Sequence, residues 1–265
     1  MRTLLTYTTM LFVMPALSAV IIVAGLLGVR NRPGSIYERI PRWWARLVLR
    51  CVGVRVILHD EDRVRDPGPK VYVSNHVSWF DIFVLLSILP RYRFVAKEEL
   101  FRIPLFGRAA RIAGTIPIRR DNRDSALQAY DQAAGEIRGG ASVVVCPEGT
   151  RGESYSLRPF KKGPFVLAIA AQAPIVPVVI FGTREIQPKG RFGMRSGTVC
   201  VRFLDVIPTA GLEYAHRNEL ALQCWTRMAD VLAREHGVES CLPRDAVSPG
   251  SDQGPGAPEV YLSRA

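Results

Sequence analysis

The sequence predicts an α/β domain with a mixed central sheet flanked by helices, preceded by an N-terminal membrane-anchoring helical segment. Three observations lead to this prediction. The chain has 265 residues, 48% hydrophobic and 22% charged, which is enough for one domain with a full core. Short β-branched runs alternate with helical patterns after residue 53, as is typical of α/β domains. Residues 4–29 carry no charged side chain.

The uncharged run at residues 4–29 would span about 39 Å as a helix, which is long enough to cross a bilayer with tilt. Pro15 and Gly25 are tolerated in membrane helices. A cleaved signal peptide is the weaker interpretation, because Arg2 alone precedes the run and the run continues past the expected cleavage region. A hydrophobic hairpin or an obliquely inserted anchor is an alternative to a full span.

The positive charge of the chain is concentrated directly after this run. Of a net charge of +11, residues 30–120 supply +10, with 18 basic and 8 acidic side chains. Six arginines follow the run closely: Arg30, Arg32, Arg39, Arg42, Arg46 and Arg50. By the positive-inside rule, we expect the domain on the cytoplasmic face of the cell (inner) membrane. An anionic partner such as membrane phospholipid fits this charge, whereas nucleic acid does not, because the sequence has no nucleic-acid motif or interleaved stacking aromatics.

Residues 41–52 predict an amphipathic helix with an arginine every fourth residue on one face. Its apolar residues are Trp44, Leu47, Val48 and Cys51. This pattern favours a helix on anionic headgroups, and a helix packed on the domain is the alternative. We therefore divide the chain into an anchor with an interfacial helix (1–52), an α/β domain (53–242) and a disordered tail rich in Pro, Gly and Ser (243–265). Five cysteines without a CxxC pair predict reduced thiols and no metal site.

Seven strands and four helices are predicted within the domain. The strands are residues 54–58, 71–74, 93–96, 115–118, 142–146, 175–181 and 199–203. The helices are residues 80–89, 123–138, 165–171 and 217–236. In such domains ligands bind at the loops that follow the strands, so polar residues at these points are the candidate site.

The first candidate follows the strand at residues 71–74, where Asn75 and His76 precede a helix. With Ser78 as the N-cap, Asp81 lies at the third helical position and predicts a capping box. A carboxylate at that position can also reach back to the imidazole of His76. A histidine oriented in this way can activate a hydroxyl as a general base, so His76 and Asp81 are the candidate catalytic pair.

Two further strand ends carry groups suited to phosphate. The strand at residues 142–146 leads into Glu148, Gly149, Thr150 and Arg151, and the segment 114–120 ends in Arg119 and Arg120. Gly149 permits close backbone approach, and Arg151 offers a planar fork for phosphate. A local Glu–Arg ion pair and a solvated strand end are the respective alternatives. The apolar run at 174–180 predicts core.

These blocks, in this order, resemble the glycerolipid acyltransferase family, in particular the 1-acylglycerol-3-phosphate acyltransferases. The segment from Asn75 to Asp81 is similar to the family's NHxxxxD block, 114–120 to the second block, and PEGTR at 147–151 to the third; Pro177 lies in the fourth. The segments around Lys97 and Lys161 also resemble family segments, and the likeness covers about residues 40–210. Cys146, Pro117 and Arg119 depart from the usual pattern.

The resemblance implies transfer of a fatty acyl chain to the sn-2 hydroxyl of lysophosphatidic acid in phospholipid synthesis. His76 and Asp81 are then the catalytic residues. The implied substrate-binding residues are Asn75, Lys97, Arg120, Glu148, Gly149, Thr150, Arg151 and Lys161. The resemblance implies an acyl-CoA or acyl-carrier-protein thioester as co-substrate, with no cofactor and no metal. Another lysolipid acceptor, or lipid binding without turnover, remains an alternative.

Overall fold

The computed structural model of the chain describes residues 2–32, 34–65, 68–119 and 122–242. The tail predicted at residues 243–265 and the predicted substrate-binding residue Arg120 lie outside the described residues.

The described part of the chain contains two long N-terminal helices, a seven-stranded sheet and shorter helices. The N-terminal helices are α1 (Arg2–Leu26) and α2 (Ile36–Val52). The strands are β1 (Val54–His59), β2 (Val71–Ser74), β3 (Tyr92–Lys97), β4 (Ile116–Ile118), β5 (Ser142–Val145), β6 (Ile175–Phe181) and β7 (Gly197–Phe203). The other helices are α3 (Asp62–Arg65), α4 (Trp79–Ile88), α5 (Phe106–Ile112), α6 (Arg123–Arg138), α7 (Gly163–Ala170), α8 (Thr183–Ile186) and α9 (Arg217–His236). Every strand and helix predicted within the domain is present with its ends within two residues of the prediction. The ends of α1 and α2 differ by up to five residues from the predicted 4–29 and 41–52, and α3, α5 and α8 were not predicted.

The strands form one mixed sheet in the order β1-β7-β6-β2-β5-β3-β4. Only β6 and β7 pair antiparallel, and the other neighbours are parallel. The predicted α/β fold with a mixed central sheet flanked by helices is therefore confirmed. Because β2, β3, β4, β5 and β6 run in the same direction, the loops that carry the candidate site residues meet at one edge of the sheet.

Successive side chains of the central strand β2 are buried on opposite faces of the sheet. Val71 and Val73 of β2 lie in one core with residues of α6, α7 and α9. Tyr72 lies on the opposite face, in a second core with residues of α2 and α4. Each of these three side chains has at most 1% of its surface exposed, as expected for a central strand covered by helices on both sides.

Helix α2 packs on the domain, as the alternative interpretation of its sequence stated. Its buried side includes Ala45, Val48, Leu49 and Val52. Arg42 Nη2 donates to the carbonyl of Leu89 at 2.7 Å, and Arg46 Nε donates to that of Ser87 at 3.3 Å. These carbonyls lie at the C-terminal end of α4, where a helix leaves its acceptors unpaired. Two arginines predicted to face lipid headgroups therefore bind the protein, and Arg50 is exposed.

Helix α1 lies along the domain over its whole length. At its start, Arg2 Nη1 donates to the carbonyl of Val52 at 3.3 Å, and Tyr7 OH donates to that of Phe192 at 3.1 Å. Near its end, Gly25 lies against Ile112, which would be 3.1 Å from a Cβ atom at residue 25. The opposite side of α1 exposes large apolar side chains: Leu4, Leu5, Leu11, Phe12, Val20, Val23 and Leu26. Within the described part of the chain, α1 is the one helix long and apolar enough to cross a membrane.

Candidate active site

His76 and Asp81 are in direct contact between β2 and α4. His76 Nδ1 lies 2.8 Å from Asp81 Oδ2, and the backbone N–H groups of Val77 and Ser78 donate to the same oxygen at 2.8 Å. Asp81 is fully buried, whereas 12% of the His76 side chain is exposed. An ionised carboxylate only accepts hydrogen bonds, so Nδ1 carries the proton and Nε2 keeps its lone pair. Asp81 thus caps α4 and orients His76 with one oxygen.

The other carboxylate oxygen of Asp81 is bound by a residue that sequence reasoning missed. Thr183, the first residue of α8, is fully buried and donates from Oγ1 to Asp81 Oδ1 at 2.5 Å. Ser78 Oγ donates to the carbonyl of Gln187 at 2.8 Å, which joins the end of α8 to the start of α4. Thr183 follows β6, so the rule that polar residues after strands form the site was the signal that could have identified it.

The Asn75 side chain forms its hydrogen bonds inside the sheet. Its Nδ2 donates to the carbonyl of Ile180 at 2.9 Å, and its Oδ1 accepts from the Ile180 N–H at 2.8 Å. The side chain is fully buried, so both ends of the amide are occupied by β6. Asn75 was predicted to bind substrate, and the structure shows its amide bound to the backbone of Ile180.

Glu148 holds the backbone of His76. Its Oε1 accepts from the His76 N–H at 3.0 Å, and its Oε2 accepts from Arg158 Nε at 3.3 Å. Gly152 N–H donates to the His76 carbonyl at 2.7 Å, so the loop that follows β5 binds both the N–H and the carbonyl of His76. Burial raises the pKa of Glu148, and the donors from His76 and Arg158 oppose that shift. The ion pair predicted for Glu148 exists, but its partner is Arg158 and not Arg151.

The PEGTR loop also places Gly149 and Thr150. Gly149 has φ = +78°, a backbone conformation that favours glycine, and a Cβ atom there would lie 2.8 Å from Cε of the flexible Lys161 side chain. Lys161 is exposed and lies over this turn. Thr150 is exposed and accepts from Arg158 Nη1 at 3.0 Å.

Arg151 places a cation near the catalytic dyad, the name used below for His76 and Asp81. Its guanidinium carbon lies 4.8 Å from the centroid of the Trp79 ring, a cation–π contact. Burial lowers the pKa of Arg151, and the charge of Asp81 opposes that shift. Because Trp79 is the first residue of α4, Arg151 is held beside the helix start that carries Asp81.

A cavity of about 490 Å³ adjoins these residues. Its apolar lining comes from α1, α2, α4, α5 and the sheet, and includes Leu17, Ile21, Trp44, Phe83, Ala109, Ala110 and Cys146. Its polar lining includes His76, Lys97, Thr150, Arg151 and Lys189. Lys97 Nζ forms an ion pair with Glu99 at 2.8 Å, and Lys189 Nζ lies 3.6 Å from Glu153 Oε1. Lys189 was not among the predicted site residues.

Four of the predicted residues, His76, Lys97, Thr150 and Arg151, line one cavity. The other predicted residues that the structure describes are not among its lining: Asn75, Asp81, Glu148, Gly149 and Lys161. Arg119, next to the undescribed Arg120, pairs with Glu98 at 3.5 Å. Among the described residues, no cluster of three or more His, Cys, Asp or Glu side chains could hold a metal ion.

An oriented imidazole beside a largely apolar cavity and a cation is suited to a lipid acyltransferase, and comparison with known proteins supports this class. The family model described as Acyltransferase matches residues 55–181, which include the dyad and the PEGTR loop. The human 1-acyl-sn-glycerol-3-phosphate acyltransferase beta is 35% identical over 210 residues, which cover 78% of this chain and 76% of that protein. The chain therefore belongs to the acyltransferase family that includes the 1-acyl-sn-glycerol-3-phosphate acyltransferases.

Two further comparisons concern length and fold. The acyltransferase acl-2 of Caenorhabditis elegans is 38% identical over 175 residues, which cover 65% of this chain and 62% of that protein. The chain thus spans less than two thirds of that relative. The crystal structure of the 1-acyl-sn-glycerophosphate acyltransferase of Thermotoga maritima superposes with a TM-score of 0.72 at 21% identity, covering 88% of this chain and 95% of that one. This likeness shows a shared fold.

Proposed function

We propose that this chain transfers a fatty acyl chain from an acyl thioester to the free sn-2 hydroxyl of lysophosphatidic acid, giving phosphatidic acid. The observation that carries the proposal is the contact of His76 with the buried Asp81 at the lining of an apolar cavity that also includes Arg151. The relatives are named as 1-acyl-sn-glycerol-3-phosphate acyltransferases, which supports the same reaction.

The dyad supplies general-base chemistry. His76 Nε2 takes the proton of the acceptor hydroxyl while that oxygen attacks the thioester carbonyl, and Asp81 stabilises the imidazolium that forms. The carbon–sulfur bond then breaks, and the proton passes from the imidazolium to the leaving thiolate. A thiolate is a good leaving group, so the reaction needs neither a covalent acyl-enzyme nor a cofactor. The co-substrate is an acyl-CoA or acyl-carrier-protein thioester.

The two parts of the cavity lining match the two parts of the substrates. Arg151, Lys97 and Lys189 would bind the phosphate of the acceptor, together with Arg120 at the end of the second block. The apolar walls would hold an acyl chain, and about 490 Å³ lies within the usual size of ligand pockets.

We also propose that α1 inserts into one leaflet of the membrane and does not cross it. The domain contacts α1 from Arg2 to Gly25, so a perpendicular span would pull the helix off the protein. Its exposed apolar side would face lipid acyl chains. Phe192, which is 81% exposed, lies beside the start of α1 among Lys189, Arg191 and Arg195, where cations suit anionic headgroups. We place the domain on the cytoplasmic face of the inner membrane.

The proposal is tested with the purified full chain in phospholipid vesicles. Labelled acyl-CoA or acyl-carrier-protein thioester is supplied with lysophosphatidic acid, lysophosphatidylcholine or a lyso-amino-acid lipid, and products are separated. We expect phosphatidic acid from lysophosphatidic acid, and loss of product in His76→Ala with an unchanged far-UV spectrum and melting curve. Full activity of His76→Ala, turnover of another lysolipid only, or lipid binding without turnover would each overturn the assignment.

A further inference from the structure

The two carboxylate oxygens of Asp81 are held very differently. Oδ2 receives three donors, from His76 Nδ1 and from the N–H groups of Val77 and Ser78. Within the described part of the chain, Oδ1 has one hydrogen-bond donor, the hydroxyl of Thr183 at 2.5 Å. A carboxylate bound through one oxygen can still turn about its bond to Cβ, and a donor on the second oxygen fixes that rotation.

The structure holds Thr183 firmly in place. Gly182 has φ = +101°, and a Cβ atom there would lie 2.2 Å from the Thr198 carbonyl, so only glycine allows this turn beside β7. Tyr155 OH accepts from the N–H groups of Gly182 at 2.7 Å and Arg184 at 2.9 Å, which are the residues on either side of Thr183. The Tyr155 ring packs on Phe181 with a centroid distance of 4.3 Å.

We infer that Thr183 is a positioning residue for acyl transfer, which acts by fixing the orientation of the Asp81 carboxylate toward His76. Thr183 is fully buried and does not line the cavity, so it acts through Asp81 and not on the substrate. This inference rests on the proposed function, in which His76 is the general base. The residue lies about one hundred positions from the dyad in sequence, and the resemblance on which the other site residues were predicted did not include it.

A matched pair of variants separates the hydroxyl from the shape of the side chain. Thr183→Val keeps the branched shape and removes the donor, whereas Thr183→Ser keeps the donor. We expect Thr183→Val to lower kcat about ten- to hundredfold, the range of one hydrogen bond to a charged group, with KM for both substrates within about twofold. Thr183→Ser should stay within about threefold of the wild type. Equal losses in both variants would contradict the inference.

Thr209 provides the control for removing a buried threonine hydroxyl. It is 1% exposed, and its Oγ1 has no hydrogen-bond partner among the residues that the structure describes. We expect Thr209→Val to keep full activity and the melting temperature of the wild type or a higher one, because it removes an unpaired buried polar group. A loss in Thr209→Val equal to that in Thr183→Val would indicate a general effect of core substitution.

The pH profile separates positioning from folding. Without the Thr183 donor both the charge and the orientation of the Asp81 carboxylate toward the imidazolium change, so the acid limb of the kcat/KM profile should lie at a different pH in Thr183→Val than in the wild type. A merely structural loss lowers the profile at every pH without moving the limb. In an Asp81→Ala background, Thr183→Val should have no further effect, and an additive loss would overturn the inference.

One readout needs no substrate and therefore remains valid if the proposed reaction fails. The Nδ1 proton of His76, bound to a buried carboxylate, should give a downfield proton resonance in the full-length protein that disappears in Asp81→Ala. We expect this resonance to shift in Thr183→Val and to stay in place in Thr183→Ser and Thr209→Val. An unchanged resonance in Thr183→Val would overturn the positioning role, whereas a shifted resonance without phosphatidic acid synthesis would refute only the proposed function.

Discussion

The guanidinium of Arg151 lies over the indole ring of Trp79, with its central carbon 4.8 Å from the ring centroid. Trp79 opens the helix that carries Asp81 two residues later, so one short stretch of α4 orients both the base and a cation. The PEGTR loop and the NHxxxxD segment are thereby joined through an aromatic side chain in addition to the Glu148–His76 hydrogen bond.

Substitution of Arg151 tests its contact with the acceptor phosphate. We expect Arg151→Ala to raise KM for lysophosphatidic acid by about tenfold while kcat falls less than about threefold, because a contact present throughout the reaction contributes to binding. Trp79→Ala should show a smaller rise than Arg151→Ala, and Trp79→Phe should keep most of the wild-type affinity because a ring remains. Steady-state kinetics on vesicles measures this, and an unchanged KM in Arg151→Ala would exclude it from the phosphate site.

Substitution of Asn75 distinguishes a structural role from a substrate contact. Asn75→Ala leaves the N–H and carbonyl of Ile180 unpaired in the core, so the free energy of unfolding should fall by about 2–4 kcal/mol. Chemical denaturation measures the change, and Asn218→Ala on the exposed surface of α9 is the control, with an expected change below about 0.5 kcal/mol. Wild-type stability together with a raised KM in Asn75→Ala would restore the substrate contact that the sequence predicted.

A larger side chain on α5 should shorten the acyl chain that the cavity accepts. Ala110 lines the cavity, and Ala110→Leu adds three carbons to that wall. We expect the preferred acyl donor to become shorter by about two to four carbons, because filled volume is lost to the ligand, with KM for the acceptor unchanged. Arg108→Ala, on the exposed side of the same helix, should keep the wild-type profile. The same chain-length profile in Ala110→Leu would place the acyl chain elsewhere.

Phe192 tests where the membrane surface lies. In Phe192→Trp, we expect additional tryptophan emission that is quenched by lipids brominated on their acyl chains, because residue 192 lies beside the start of α1. Tyr214→Trp, at a half-exposed position in the 3₁₀ turn before α9, should add emission that these lipids do not quench. Subtraction of the wild-type signal removes the four native tryptophans. Equal quenching at residues 192 and 214 would contradict the proposed orientation.

His236 should make the stability of the fold depend on pH. Its ring stacks on Phe181 with a centroid distance of 3.9 Å. Burial lowers the pKa of His236 from its ordinary value of 6.5, an effect that Glu235 opposes and that Arg202 and His59 strengthen. The fold therefore favours the neutral form of His236. The contribution of His236 to the free energy of unfolding is present above pH 6.5 and is lost as pH falls through the lowered pKa.

The measurement compares melting temperatures of the wild type and His236→Phe, which keeps a stacked ring, between about pH 7.5 and pH 5. We expect the two proteins to differ little at the upper end and the wild type to lose more stability below about pH 6.5. His76 and His216 are common to both proteins and cancel in the difference, whereas the interaction of His59 with His236 belongs to the effect that is measured. Parallel curves across this range would show that protonation of His236 has no effect on stability.

The sequence predicted what local patterns determine and missed what distant segments contribute. The capping box follows from the three-residue spacing of Ser78 and Asp81, and the contact between His76 and Asp81 from a spacing of five. The strands follow from β-branched runs. The pairing of Asn75 with Ile180, and of Thr183 with Asp81, joins residues more than one hundred positions apart. No periodicity reports such contacts, so Asn75 looked like a site residue while Thr183 was not considered.

The N-terminal region shows a second limit of the same kind. Hydropathy correctly indicated one long apolar helix, but it says nothing about which side of that helix meets protein. The arginines of α2 were interpreted from their charge alone. Arg42 and Arg46 instead bind carbonyls at the end of α4, a role that depends on where another helix ends.

Because Leu17 and Ile21 of α1 line the same cavity as His76, the helix that we propose holds the protein to lipid is also a wall of the proposed acyl chamber. Removing residues 2–26 to obtain a soluble enzyme would therefore open that chamber to water. Evolutionary selection on membrane attachment and on the shape of the acyl chamber is therefore linked as well. An exchange such as Ile21→Ala, almost neutral for membrane affinity, would enlarge the chamber, so drift in an apparently featureless anchor can alter the fatty acid composition of the lipids that the enzyme makes.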